Sequence, residues 1–277
     1  MDPVNTALWY VESHFASELT LDEIARQAGV STFYLTRAFA TVTGRPLMRY
    51  VRARRLTEAA RALSDGARDI LSVALDSGYG SHEAFTRAFR DQFGVTPESI
   101  RARGHLDSIN LVEPIAVDHT LLDDLEPPRF VTQPSFLIAG IGERYGCDDS
   151  AAIPSQWQRF VPSLGTIPGQ VGRAAYGVNY NGDDDGSFDY LCGVEVGSFA
   201  RLDPKWTRLR IPEQRYAVFA HRGHVSTIRR THNTIWTTWL PQSGHEVADA
   251  PHFERYGEDF DGQAGVGGIE VWLPLGR

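Results

Sequence analysis

The stretch STFYLTRAFATVTG at residues 31–44 returns fifty positions later as SHEAFTRAFRDQFG at residues 81–94. Laid over one another, the copies share Ser31 with Ser81, Thr36 with Thr86, Arg37 with Arg87, Ala38 with Ala88, Phe39 with Phe89 and Gly44 with Gly94. Each reads as a capped helix. Ser31 and Ser81 offer a hydroxyl to an orphan amide of the first turn, and Gly44 and Gly94 suit the left-handed residue beyond the last turn. Leu35 with Phe39, and Phe85 with Phe89, fall four apart and predict a core-facing stripe. Thr32, Thr36 and Arg37 in one copy, and His82, Glu83, Thr86 and Arg87 in the other, are left to point outward, where polar and cationic side chains suit base-pair edges.

A shorter helical signal precedes each copy. Thr20 to Glu23 reads T-x-x-E, a capping box, and opens a helix through Ile24 and Ala25 to a turn at Gly29. Ile70, Val73, Ala74, Gly78 and Tyr79 repeat that pattern, with Gly80 as one extra turn residue. Helix, glycine-containing turn, helix is the helix-turn-helix unit, whose second helix enters the major groove of DNA. Between the units, residues 46–63 (PLMRYVRARRLTEAARAL) carry a first-turn proline, no interior glycine, and Arg49, Arg52, Arg54, Arg55 and Arg61. At ~1.5 Å per residue such a strut spans roughly 27 Å. It can hold two reading helices against successive major grooves about 34 Å apart.

With these motifs in order, residues 5–103 resemble the DNA-binding domain of the AraC/XylS family of transcription regulators. The resemblance is carried by GVSTFYLTRAFATVTG, by GYGSHEAFTRAFRDQFGVTPESIR and by the strut. It implies base-reading and DNA-facing roles for Thr32, Phe33, Thr36 and Arg37, and for Ser81, His82, Glu83, Thr86, Arg87 and Arg90. His82 and Glu83 stand where some members carry glutamines, so the preferred operator sequence does not transfer. Arg49, Arg52, Arg54, Arg55 and Arg90 are the expected phosphate contacts, and affinity should then fall steeply with salt.

The 277 residues suit two domains. Residues 1–105 hold 13 basic against 12 acidic side chains, and the remainder 14 against 23, which sum to the net charge of -8. The acidic excess therefore belongs to the second half and does not argue against a DNA-binding first half. No basic start followed by an apolar run opens the chain and no window has the length of a membrane span, so a cytoplasmic protein is expected. Cys147 and Cys192 are too few for a disulfide framework and are expected as reduced thiols. Asp2-Pro3 should open a first helix with Leu8, Val11 and Phe15 as its stripe, and Thr96-Pro97 a last one ending near Arg103. Residues 106–128 read as a linker with a candidate strand at 111–117.

From Arg129 the pattern turns to short alternating runs punctuated by glycine and proline, the mark of strands. Residues 130–141 (FVTQPSFLIAGI) resemble residues 209–221 (LRIPEQRYAVFAH), each a strand with a proline near its start. An aromatic-bearing helix follows each, at 154–160 with Trp157 and at 227–240 with Trp236 and Trp239. Both halves close on Gly-apolar-Glu-Val, at 193–196 and 268–271. The expected fold class is therefore multi-domain: an all-α double helix-turn-helix domain, 1–105, and an α+β domain, 129–277, of two pseudo-symmetric strand-helix-strand halves with a cleft between them.

The second domain resembles the GyrI-like effector-binding domains found in Rob-type regulators, on the segments IPSQWQRF, YGVNY, FDYLCGVEV, IPEQRYAVFAHRG, THNTIWTTWLP, FERYGEDFD and GGIEVWLPL. The resemblance implies that Glu270 is the pocket carboxylate and that Trp157, Tyr190, Glu195, Trp236 and Trp272 are effector-binding walls. Alternation sets Glu270 and Trp272 on one side of their strand and Ile269, Val271 and Leu273 on the other. Aromatic faces and a desolvated carboxylate attract a lipophilic cation or a polar aromatic compound.

Three other patterns lack their context. His221 and His224 have metal-like spacing without a third ligand. The NGDDDG run at 181–186 has Cys192 where a calcium loop needs glutamate, and the glycines at 265–268 lack the strand-to-helix setting of a dinucleotide site. No metal or cofactor is expected. The partners expected are double-stranded DNA, a small-molecule effector and RNA polymerase, with no membrane. The main expectation is a ligand-responsive, sequence-specific transcription regulator that is not an enzyme. The alternative is a second domain that hydrolyses its ligand with Glu270 or Glu195 as general base, as the resemblance of some GyrI-like domains to hydrolases implies.

Overall fold

The computed structural model describes residues 2–67, 69–107, 109–115, 122, 124–146, 152–183 and 186–276. They divide into two compact units, Pro3–Leu35 with Pro46–Val117, and Thr36–Arg45 with Asp118–Arg277. Cys147, Asp123, Asp184, Asp185 and the 116–117 end of the expected linker strand lie outside the described residues, while 111–115 carry no regular structure.

Among the described residues seven helices precede the first strand: α1 Pro3–His14, α2 Leu21–Ala28, α3 Thr32–Thr43, α4 Leu47–Ser64, α5 Ile70–Asp76, α6 His82–Phe93 and α7 Pro97–Arg103. Their ends are chemically marked. The Thr20 side chain accepts from the Glu23 amide, Ser31 from Tyr34, Asp69 from Leu71 and Ser72, Ser81 from Ala84 and Thr96 from Ser99. Each bond removes one of the amides that a helix start leaves without a partner. Gly29, Gly44 and Gly94 close their helices at φ of 70°, 74° and 70°, a region that costs a side chain strain.

The stripes fill as their spacing predicts, with Leu35, Phe39, Phe85 and Phe89 fully buried. Phe85 and Phe89 meet tilted and Phe89 and Phe93 edge-on along α6, ring centroids 5.5 and 4.8 Å apart, and the three pack with Leu56, Ala60 and Leu63 of α4 and Ile70 and Val73 of α5.

The strut departs from its expected phosphate-facing role at Arg54 and Arg55. Arg54 is only 3% exposed and donates to the Glu12 carboxylate at 3.0 Å and the Val112 carbonyl at 2.9 Å, with Glu58 3.2 Å away. Arg55 donates to the carbonyls of Phe15 and Ser17, and Arg61 to Glu58 and Glu113. A buried guanidinium needs such partners to offset its lost hydration. Arg54 and Arg55 thus tie α1 and the segment after α7 to α4, and Arg49, Arg52 and Arg90 are left as the exposed members of the phosphate set.

Among the described residues the second unit holds one eight-stranded antiparallel sheet: β1 Arg129–Gln133, β2 Phe136–Tyr145, β3 Gln170–Tyr180, β4 Phe188–Val196, β5 Thr207–Ile211, β6 Gln214–His221, β7 His252–Tyr256 and β8 Ile269–Pro274. Their order is β1-β6-β8-β7-β3-β4-β2-β5. The two halves meet where β3 pairs β7. The repeated proline strand is really two strands in each half. Pro134 and Pro212 lack the amide hydrogen a ladder needs, so pairing stops there. The short strand before each proline, β1 or β5, then pairs with the other half, β1 with β6 and β5 with β2.

One sheet face packs Phe136, Ile138, Tyr176, Val178, Tyr216, Phe253 and Trp272 together. The other carries Tyr190, Cys192, Glu254 and Tyr256 and receives α8 (Ile153–Phe160) and α9 (Ile228–Thr234). The helix expected at 227–240 is interrupted: α9 runs into a π-helical turn, Ile235–Trp239, before α10, Leu240–Ser243.

Candidate nucleic-acid interface and effector site

On α6 the side chains of Glu83, Arg87 and Arg90 are exposed. His82 Nε2 lies 3.1 Å from Glu98 Oε1. Bonds to its own amide and to the Ser81 hydroxyl hold the Glu83 carboxyl below the usual range, so Ser81 and Glu83 also serve the helix start. Thr36 and Thr86 occupy equivalent positions, and both hydroxyl oxygens are shielded from solvent, so neither points outward as the spacing predicts. On α3, Thr32 and Phe33 are half-buried. Arg37, within the second unit, has a side chain only 18% exposed; it donates to Asp249 Oδ1 at 3.3 Å and stands 3.4 Å from His252 Nδ1. The outward-facing set is therefore fuller on α6 than on α3.

The effector residues named from sequence fall on both faces of the sheet. Glu195, Glu270 and Trp272 lie on the face away from α8 and α9. There Glu270 bridges Arg129 at 2.5 Å and Arg255 at 3.5 Å and accepts from Trp272 Nε1 at 3.0 Å, while Glu195 accepts from the Tyr176 hydroxyl at 3.4 Å. Arg129 also lies over the Trp272 ring, 5.2 Å from its centroid. A carboxylate between two guanidiniums is already neutralised, so Glu270 offers a ligand cation little. Trp236 is buried in the π-helical turn.

Trp157 and Tyr190 are on the helix face, and they converge on a residue the sequence reading passed over. Glu254, at the centre of β7, pairs in register with Gly177 of β3 at the junction of the halves. Its Oε2 accepts from the Tyr190 hydroxyl at 3.1 Å and the Tyr256 hydroxyl at 3.4 Å. Its Oε1 lies 3.0 Å from His232 Nε2, and the Glu254 side chain is 12% exposed. Trp157 Nε1 donates to the Tyr190 hydroxyl at 3.1 Å, and its ring meets Tyr256 edge-on at 5.0 Å. Gln156, fully buried, fixes α8 by donating to the carbonyls of Ile141 and Tyr190.

The electrostatics fit a dry anionic centre. Burial, and then the Glu254 charge, push the hydroxyls of Tyr190 and Tyr256 and the Cys192 thiol well up. Gly177 is required by close approach, since a β-carbon there would lie 2.2 Å from the Tyr190 hydroxyl and 2.8 Å from Glu254 Oε2. The signal was legible: in HFERY, at 252–256, alternation sets His252, Glu254 and Tyr256 on one face and Phe253 and Arg255 on the other. Among the described residues no cluster of three His, Cys, Asp or Glu side chains could hold a metal ion, and no helix is long and apolar enough to cross a membrane.

A duplicated helix-turn-helix unit carried on one chain with a twofold α+β domain around a buried carboxylate defines a DNA-binding regulator with a small-molecule-binding domain. The chain belongs to the GyrI-like small molecule binding domain family, matched over residues 126–275, and its residues 24–103 match an AraC-type helix-turn-helix domain. It is 27% identical over 290 residues to the right origin-binding protein of Escherichia coli (strain K12), covering 99% of this chain and 98% of that one. It is 42% identical over 94 residues to the regulatory protein SoxS of the same organism, covering 34% of this chain and 88% of that one. The solved structure of SAV2435 bound to tetraphenylphosphonium superposes with a TM-score of 0.47 at 22% identity, over 55% of this chain and 94% of that one.

Proposed function

We propose that this protein is a transcription regulator switched by a lipophilic organic cation, which binds at Glu254 between Trp157, Tyr190 and Tyr256. DNA reading falls to residues 1–105 and effector capture to residues 129–277. The observation that carries the reading is the Glu254 carboxylate itself, side chain 12% exposed, met by two tyrosine hydroxyls and one histidine, and by no arginine or lysine among the described residues. A carboxylate so desolvated gains from a diffuse cation that loses little hydration, and each aromatic contact adds ~0.5 to 2 kcal/mol. RNA polymerase is the further partner proposed, in keeping with relatives named as regulators.

Titration of the full chain with tetraphenylphosphonium, followed by tryptophan fluorescence, tests the effector site. Glu254→Gln keeps the shape and removes the charge. Its affinity should fall at least about tenfold, or ~1.4 kcal/mol, while Glu270→Gln should bind as the unaltered protein does. The reverse ranking would return the site to the opposite face. Selection of genomic fragments by the full chain, with and without the cation, tests the regulatory reading: one asymmetric motif about two helical turns long, bound with a cation-dependent affinity, is expected. Fragments showing no shared motif at moderate salt would remove it.

A further inference from the structure

We propose that the His232 imidazolium is the cation that Glu254 holds when the effector site is empty, so that an organic cation enters by displacing the His232 proton into solvent. The proposal rests on the reading of Glu254 as the effector carboxylate. His232 comes from α9, one of the two helices over the site, and its Nε2 lies 3.0 Å from Glu254 Oε1 with both side chains at most 13% exposed. The other oxygen, Oε2, is occupied by the hydroxyls of Tyr190 and Tyr256. Neutral donors offset only part of the cost of burying a carboxylate, and an opposite charge at hydrogen-bond distance adds a Coulomb attraction that the two hydroxyls lack.

Among the described residues, the groups around the pair leave His232 as the one able to supply that charge. On β7 stand His252 and Tyr256, on β4 Tyr190 and Cys192, and on β6 His221, whose Nδ1 is 2.7 Å from Thr231 Oγ1 of α9. Burial pushes His221 and His252 down, so both are neutral near pH 7; burial also pushes Tyr190, Tyr256 and Cys192 up, so these too are neutral. The Arg37 guanidinium, 3.4 Å from His252 Nδ1, is engaged by Asp249. On α9 itself Arg229 and Arg230 flank the turn before His232. Among the described residues His232 is therefore the one basic side chain at hydrogen-bond distance from Glu254, and a permanent organic cation would compete with its proton.

The competition has a sign. Lowering the pH protonates His232 and strengthens the internal pair, so affinity for a permanent cation should fall; raising it frees the carboxylate. Calorimetric titration of the full chain with tetraphenylphosphonium between pH ~5.5 and ~8, where histidine titrates, in buffers of different protonation enthalpy, measures affinity and released protons together. Affinity should rise with pH by up to tenfold per unit and then level, with close to one proton released per cation at the acidic end. His232→Gln should bind with an affinity independent of pH and release none. His232→Lys, a cation that does not titrate in this range, should bind more weakly throughout. A pH-independent affinity without proton release in the unaltered protein would overturn the His232 assignment while leaving the cation site standing, as would a slope that persists in His232→Gln. If the unaltered protein binds no tetraphenylphosphonium at any pH, the Glu254 site fails and this assignment falls with it. Should His232→Gln unfold, the proton count of the unaltered protein still decides.

Discussion

At the scale of single residues, the two halves of the chain make opposite demands. In the helical half, the caps and left-handed glycines act on their own turns, so each is worth ~1 kcal/mol and is tolerant of its neighbours. Around Glu254 the tolerance vanishes. Gly177→Ala places a methyl group where the Tyr190 hydroxyl and Glu254 already lie, 2.2 and 2.8 Å away. We expect a loss of ~1–3 kcal/mol in stability, read by chemical denaturation, together with weaker cation binding. An unchanged midpoint would show that the junction of β3 and β7 yields more easily than its packing implies. On α6, Arg87 is exposed, and a bidentate base contact is worth ~1–3 kcal/mol. Arg87→Ala should lose that much affinity for a selected operator with unchanged thermal stability, measured by fluorescence anisotropy.

At the scale of elements, α6 has two faces with separate duties. Phe89 is fully buried between Phe85 and Phe93 and against α4. Phe89→Ala should cost ~3–5 kcal/mol of stability, seen as a lower denaturant midpoint, whereas the exposed face should accept alanine at little cost. The strut α4 divides likewise. Arg54 and Arg55 hold neighbouring segments, and the side chains of Arg49 and Arg52 are exposed. In the sheet, Pro134 and Pro212 separate β1 and β5 from the strands that follow them, and each pairs with the opposite half, which knits the pseudo-twofold pair together at both edges.

At the scale of the whole molecule, stability should depend on pH at both ends. Burial and a hydrogen bond to Glu12 push the Tyr50 hydroxyl up to about 12, and burial with Glu143 does the same for Tyr145. A raised acid stabilises the fold fully below its unfolded value of ~10 and is lost as pH climbs from there toward the folded value. One of these tyrosines lies in each unit, so both units should weaken in the same alkaline window. At the acid end, burial lowers His221 and, further, His252. Their contribution is present above the ordinary value of ~6.5 and is lost as pH falls through the folded values. Denaturation midpoints should therefore plateau between about pH 8 and pH 10; a midpoint still flat near pH 12 would contradict the burial of both tyrosines.

The sequence by itself determined the helical half nearly in full, from the duplicated TRAF core, the caps at Thr20, Ser31 and Ser81, and the closing glycines. Each of these acts within a turn or two of its own position, so local spacing carries the whole signal. It also determined the repeat in the second half, while the meeting of Trp157 with Tyr190 came from the structure. Only the tertiary structure decided which carboxylate is the buried one. Alternation gives every strand two faces without saying which of them the helices cover, and Glu254 and Glu270 stand on opposite faces. Glu270 became a paired residue because Arg129 and Arg255 reach it across the sheet, and Glu254 became the centre of a site because α9 and β4 bring His232 and Tyr190 to it. The same holds for Arg54, whose place in a phosphate-facing run gave no sign of Glu12, forty-two positions away.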